Sequence, residues 1–220
     1  MQIVDLFSVP VLYTELTGSE KITRKEYDVL YNIEMQKREE DFQHSTLLSK
    51  SVQILEDRRL SNIKNTKMKY INYYLQNMVG VTNKFKMTTS WLTLNEKGSS
   101  HERHSHGNVI LSCTMYFCEN LDDKDMAPFY ISQKGLEHVF QSFQFQYDIN
   151  NHNNYNSKSL TLPVKNNTLV IFPGWLLHGS NPHKSEYKRY CIGSNYFIED
   201  TVGTGYHSLD VKVEVKDKLL

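Results

Sequence analysis

From Phe85 onward the chain reads as short runs of alternating apolar and polar residues, each closed by glycine, proline, asparagine or aspartate. That period of two restricts the segment to half-buried β-strands. Strands are expected near 85–95, 107–118, 127–133, 141–148, 159–164, 168–172, 187–197 and 207–215. Seven or eight strands at this spacing, with little helix between them, predict an antiparallel sandwich or jelly roll.

The residues before Phe85 follow other patterns. Ile3 to Leu16, with Val9-Pro10-Val11 inside it, reads as an edge strand, because proline cannot donate to a ladder. Thr23-Arg24-Lys25-Glu26 has the spacing of a capping box, and Tyr27, Leu30 and Tyr31 then give a helix one apolar face. A second helix is predicted from Leu60, Ile63, Met68, Ile71, Leu75 and Met78, which leaves Arg59, Lys64, Lys67 and Lys69 on other, solvated faces. The expected class is mainly β with N-terminal helices (α+β), the helices covering one outer face of the sheets. A chain of 220 residues fits one domain, 1–220, with 1–83 as strand and supporting helices and 84–215 as the β core.

Charge removes several function classes. Lys and Arg number 25 and Asp and Glu 25, so no global field recruits nucleic acid or an anionic membrane. The first residues, MQIVDLFSVPVLYTEL, carry Asp5 where a secretory signal needs a basic start, and a cytoplasmic protein is expected. The longest apolar stretch, Thr168 to Leu177, is about half of the roughly 20 residues that span a bilayer and is broken by Pro173, so no membrane segment is predicted. Cys113, Cys118 and Cys191 form no CxxC and are expected as reduced, packed thiols. The asparagine-rich stretch 149–157 reads as a polar loop.

Against this background "HERHSHGNVILSCTMYF", residues 101–117, stands out. Side chains two apart on an extended segment share a face, so His104 and His106 can reach one ion, whereas His101 faces elsewhere, at the rim. A third ligand must come from another strand, and His178, where the run TLVIFP turns, is the candidate. Imidazole suits iron, copper, nickel and zinc alike. The alternating faces of the next strand put Asn108, Ile110, Ser112, Thr114 and Tyr116 toward a cavity and Val109, Leu111, Cys113, Met115 and Phe117 beneath the helices; a bulge after Gly107 would invert the assignment. Trp91, Thr93 and Asn95 share one face of the preceding strand, with Trp91 expected in the core. Farther on, Arg189 shares a face with Cys191, Gly193, Asn195 and Phe197, and the small neighbours leave room beside it for a carboxylate held in a bidentate fork. A surface salt bridge from Arg189 to Glu186 or Glu199 is the competing reading. His44, His138, His152, His183 and His207 lack partners at ligand spacing and are expected to be ordinary surface or core residues.

Together these motifs resemble the Fe(II)/2-oxoglutarate-dependent oxygenase superfamily. More narrowly, they resemble a group of small oxygenases with a tryptophan-bearing strand (Ser90-Trp91, with Gly98), His104-x-His106, Ser112-Cys113 with Tyr116, Phe172-Pro173-Gly174-Trp175-Leu176-Leu177-His178, and Arg189-x5-Asn195. The match runs from Ser90 to Phe197. The resemblance implies a double-stranded β-helix with Fe(II) bound by His104, His106 and His178. It also implies 2-oxoglutarate held through Arg189, with Asn195, Tyr116 and Thr114 as further cosubstrate contacts. With O2, such an enzyme decarboxylates the cosubstrate to succinate and CO2 while oxidising a second molecule, whether a small molecule, a protein side chain or a nucleobase. One position departs from the superfamily: His106 stands where an Asp or Glu ligand belongs. Glu102, with the same parity, is an alternative ligand if the strand starts early, but Gly98 to Arg103 reads as loop.

Two rivals share the architecture. A cupin would use Gly98-x5-His104-x-His106 with Pro173 and His178, but it needs a glutamate where this chain has Ile110 or Leu111, and its asparagine is displaced to Asn181. A non-catalytic jelly-roll module is the other.

Overall fold

The computed structural model describes residues 8–37, 46–120, 122, 125–132, 150, 157 and 159–215. Among these, the alternating pattern after Phe85 becomes strands β4 (Phe85–Asn95), β5 (His101–His104), β6 (Leu111–Cys118), β7 (Phe129–Ser132), β8 (Ser159–Leu162), β9 (Thr168–Pro173), β10 (Leu177–Ser180) and β11 (Arg189–Ile198). Before them lie β1 (Leu12–Glu15), β2 (Met35–Lys37) and β3 (Leu47–Ser49), and after them the short pair β12 (Thr201–Val202) and β13 (Leu209–Asp210).

Two antiparallel sheets face one another. The larger has the order β1-β9-β6-β11-β4-β3-β2 and the smaller β5-β10-β7-β8. From β4 to β11 the chain passes back and forth between them, so that β5, β7, β8 and β10 lie across from β4, β6, β9 and β11. This is the double-stranded β-helix with N-terminal helices that the strand count and the resemblance predict. As expected of a segment containing proline, β1 pairs only with β9 and closes one edge.

Helix α1 (Arg24–Tyr31) begins where its sequence says it should. Thr23 and Glu26 exchange the two hydrogen bonds of a capping box, and Oε1 of the buried Glu26 also accepts from the Ile63 amide at 2.9 Å. One carboxylate therefore caps α1 and satisfies a free N–H at the start of α2 (Ser61–Tyr73). The predicted second helix continues past α2 as a wider turn, Tyr74–Val79, and stops at Gly80, whose φ of 78° suits glycine.

Leu30, Ile63, Ile71 and Leu75 of the helical layer pack with Leu92, Leu111, Cys113, Met115, Phe117 and Ile192 of the larger sheet. Each fully buried aliphatic side chain there contributes about 1.5–3 kcal/mol. A second cluster between the sheets includes Tyr116, Cys118, Phe129, Val170, Phe172 and Leu176, and its Tyr116 and Phe129 also line a polar cavity. No helix among the described residues is long and apolar enough to cross a membrane.

Several expectations change. Lys67, read as solvated, is fully buried. Its ammonium donates to the carbonyls of Cys113 (3.1 Å) and Ile192 (2.6 Å) and to Ser194 Oγ (2.9 Å). The reason is spacing: Lys67 lies four residues from both Ile63 and Ile71, on the stripe that faces the sheet. Lys64 and Lys69 are paired with Glu56 and Glu20, and Arg59 with Asp57, on the surface. The strand expected from 107 starts at Leu111, because Gly107 to Ile110 turn, with Asn108 at φ 55°. Conversely, Gly98 to Arg103, read as loop, contains the first three residues of β5. Of 207–215 only Leu209–Asp210 is strand. The strand expected at 141–148 and most of the loop at 149–157 lie outside the described residues.

Candidate metal centre

The polar end of the barrel is built where β5 meets β10. His104 pairs with His178, while Ser180 pairs with His101, so three steps along β5 oppose two along β10. The extra residue is a β-bulge, and it reverses parity. It puts His101 on the same side as His104, and both rings line the cavity with their centroids 4.6 Å apart. The expectation that His101 faces elsewhere fails for this reason, although a place at the site's rim suits it. The bulge also requires Gly179, since a Cβ there would lie 2.6 Å from the His101 carbonyl oxygen.

His106 follows the strand and reaches the site by a turn. Its amide donates to the Gly174 carbonyl at 2.8 Å, and the Gly174 amide donates back to the Ile110 carbonyl at 3.0 Å. The His-x-His pair therefore converges through two clasped loops and not through strand alternation.

One ligand atom from each of His104, His106 and His178 lies within 4.8 Å of the others. Each ring is oriented through Nδ1: that of His104 donates to the Glu102 carbonyl (2.8 Å) and that of His178 to the Leu176 carbonyl (2.9 Å). The Nδ1 of His106 lies 2.8 Å from both Ser112 Oγ and Asn195 Oδ1. The Nε2 atoms of His104 and His106 face each other at 3.2 Å. Burial holds the imidazole of His178 down to about 2 and that of His106 down to about 4, the neighbouring His104 adding to both. Neutral imidazole is the form that ligates a metal. Phe129 and Phe172, with ring centroids 5.7 and 4.5 Å from that of His178, wall this side with apolar surface. The exposed carboxylate of Glu102 is not part of the cluster.

Arg189 enters from the larger sheet. It is 2% exposed, one guanidinium nitrogen donates to Asn95 Oδ1 at 3.1 Å, and the guanidinium carbon sits 4.7 Å over the Tyr116 ring. Among the described residues its Nε has no hydrogen-bond partner, nor has the buried Thr114 Oγ1. Glu186 and Glu199 are engaged elsewhere, with Lys97 and Lys86, which removes the surface salt bridge as an account of Arg189. A buried cation with an unpartnered N–H, beside an unpartnered hydroxyl, is costly unless an anion completes the site. The cavity is lined by Trp91, Thr93, Asn95, His101, His104, His106, Thr114, Tyr116, Phe129, His178, Gly179, Ser180, Arg189 and Cys191, none of them acidic.

The structure thus gathers His104, His106, His178, Arg189, Thr114 and Tyr116 around one cavity. Asn195 bonds to His106 behind it. Trp91, expected in the core, lines the cavity and sets its ring edge-on to His106 at 5.7 Å. The room expected beside Gly193 is filled: a Cβ there would lie 2.4 Å from the Trp91 indole. Phe129 and Ser180 went unnoticed in the sequence; Ser180, two positions past His178 on one strand, carried the signal of alternation. His183, as expected, is a satisfied core residue, its ring bonded to the Tyr187 carbonyl and accepting from the Ala127 amide.

Residues 89–195 match the family described as "Putative 2OG-Fe(II) oxygenase". Solved structures with the same fold include the epimerase SnoN from nogalamycin biosynthesis, at 7% identity and a TM-score of 0.60, covering 87% of this chain and 77% of that one. HygX from Streptomyces hygroscopicus, with nickel and 2-oxoglutarate bound, is 9% identical at a TM-score of 0.55, over 86% and 82% of the two chains. A prolyl hydroxylase from Trichoplax adhaerens is 12% identical at 0.54, over 85% and 83%. No curated protein matches by sequence.

Proposed function

Because the chain belongs to the 2OG-Fe(II) oxygenase family, whose cofactors are Fe(II) and 2-oxoglutarate, we propose that it is a dioxygenase that couples decarboxylation of 2-oxoglutarate to hydroxylation of a second substrate. The observation that carries this reading is the pairing of two features in one cavity. Three imidazoles turn Nε2 toward a common point, and a buried arginine on the other sheet has an unpartnered N–H.

The donors suit the groups. Three neutral nitrogens, with no acid beside them among the described residues, make a site for a divalent first-row ion, Fe(II) among them. The guanidinium, with no carboxylate partner among the described residues, suits the distal carboxylate of a five-carbon dicarboxylic acid. HygX, which has the same fold, binds nickel and 2-oxoglutarate. When bound, the two cofactors supply oxidation by O2, one oxygen atom leaving in succinate as CO2 is released and the other going to the substrate.

This chain's own residues bind, orient and exclude water. His104, His106 and His178 would hold the ion, leaving its other positions open. Arg189 would bind the distal carboxylate while Tyr116 beneath it keeps the guanidinium flat, and Thr114 would offer its hydroxyl as a further donor. Phe129, Phe172 and Trp91 keep water from the imidazoles, which strengthens each polar contact inside.

The test is succinate formed from 2-oxoglutarate, with and without Fe(II), in the wild type, Arg189→Ala and His178→Ala. Turnover that requires both additions and is lost in both variants supports the proposal. Succinate formed without iron, or unaffected by either substitution, refutes it. Incorporation of one atom of labelled O2 into the oxidised substrate separates hydroxylation from other outcomes.

A further inference from the structure

We propose that Asn195 and Ser112 are positioning residues that make His106 a metal ligand, by fixing its proton on Nδ1 with a pair of uncharged groups. The inference rests on the reading that His104, His106 and His178 hold a divalent ion, and it assigns Asn195 a role behind the metal instead of at the cosubstrate.

His104 and His178 are oriented by backbone carbonyls, which accept whatever the side chains nearby are. His106 is held instead at Nδ1 by two side chains. It also sits past the end of β5, on a turn, where strand pairing does not fix its ring. Its tautomer therefore depends on two residues of the larger sheet, Ser112 on β6 and Asn195 on β11, which face each other in register.

The hydrogen-bond arithmetic gives one consistent answer. Ser112 Oγ donates to Asn195 Oδ1 at 2.9 Å, so the amide turns its oxygen toward Ser112 and His106. An amide oxygen only accepts, so a ring nitrogen 2.8 Å from it must carry the proton. Nδ1–H then donates to Oδ1, the Ser112 hydroxyl lies against the same N–H at 2.8 Å, and the Nε2 lone pair is left facing the other rings. Reverse the tautomer, and Nε2 would carry a proton where the ligand's lone pair is needed.

The neutrality of the pair has its own consequence. A histidine ligand backed by a carboxylate is more basic and brings negative charge to the ion. Here the partner is an amide, no acidic side chain among the described residues lines the cavity, and Arg189 adds positive charge. Ser112 and Asn195 thus place His106 without giving the centre any negative charge, and an isosteric change at Asn195 would supply it.

The experiment measures affinity for Zn2+ and for Ni2+ alone, by titration calorimetry at fixed pH and without cosubstrate. It uses wild type, Asn195→Leu, Asn195→Asp, Ser112→Ala and the reference His104→Ala, with thermal melts as folding controls. Asn195→Leu, which cannot accept from Nδ1, should weaken both ions by about 10–100-fold. Asn195→Asp should tighten them by about tenfold, since it keeps the acceptor and adds charge. Ser112→Ala should fall between wild type and Asn195→Leu. A merely structural role would instead lower affinity in both Asn195 variants.

Long-range 1H–15N correlation spectra of the metal-free wild type give a second readout, with the His106 proton expected on Nδ1. A proton on Nε2, or equal affinities in wild type, Asn195→Leu and Asn195→Asp, would overturn the proposal. If the wild type bound neither ion, or bound them no better than His104→Ala, the metal-centre reading itself would fall, and this one with it. Intact binding with unchanged Asn195 variants would defeat only the present inference.

Discussion

Gly179 and His101 meet backbone to backbone: a methyl group on Gly179 would stand 2.6 Å from the His101 carbonyl oxygen and 3.0 Å from that of Glu102. No flexible side chain can yield there, so Gly179→Ala must push β5 away from β10 and carry His104 from His178. We expect a loss of at least tenfold in Zn2+ affinity, by titration, alongside a stability cost of about 1–3 kcal/mol in urea melts. Unchanged metal affinity would mean that the bulge does not place His104.

Arg189 is expected to govern cosubstrate binding with little role in the metal site. Removing one partner of a buried, hydrogen-bonded charge pair costs about 2–5 kcal/mol, so Arg189→Ala should weaken 2-oxoglutarate by roughly 30-fold or more. Arg189→Lys should not restore it, since an ammonium lacks the planar fork. Affinity for Zn2+ alone should stay near that of the wild type. If 2-oxoglutarate bound equally well to Arg189→Ala in the presence of metal, some other group would have to grip the distal carboxylate.

Lys67 gives a pH dependence whose sign is fixed. Burial in the helix–sheet core lowers its folded value below the ordinary 10.5, so above that lowered value the folded chain binds fewer protons than the unfolded one. Stability must then rise with pH through the window between the two values, as the cost of a buried charge is relieved. Urea melts of wild type and Lys67→Met across alkaline pH isolate the effect, because other ionisations are common to both. Wild type should gain on Lys67→Met as pH climbs toward 10.5; a constant difference between the two would contradict the assignment.

Glu26 tests the helical layer separately from the site. Its carboxylate accepts from the Thr23 amide and hydroxyl and from the Ile63 amide. Glu26→Ala leaves the buried Ile63 amide unsatisfied and removes the carboxylate half of the α1 capping box, a cost of about 2–4 kcal/mol. Zn2+ affinity of the folded fraction should not move. A matching loss of affinity would show that α1 and α2 hold the metal centre in place.

Much of this could be read from the chain alone, for reasons that are local. Strand period, the Thr23–Glu26 capping box and proline near an edge strand each depend on a few consecutive residues, and β4, the capping box and the edge strand appear where expected. The ligand candidates were legible too, because His-x-His, a distal histidine and a later arginine keep their order in a β-helix whatever the details of pairing. Even the burial of Lys67 was present as a four-residue spacing to Ile63 and Ile71, hidden by its charge.

Register was not legible. The bulge that brings His101 beside His104, the clasp between Gly174 and His106, the indole filling the space beside Gly193 and the amide of Asn195 behind His106 all join residues more than sixty positions apart. A one-residue slip would leave the pattern of apolar and polar residues nearly as good while turning these side chains to the other face. The sequence therefore determined which residues were available for the chemistry and on which kind of element each would sit. Only the packing of the two sheets decided which of them meet, because cross-strand contacts are set by register and by where a side chain can be absent.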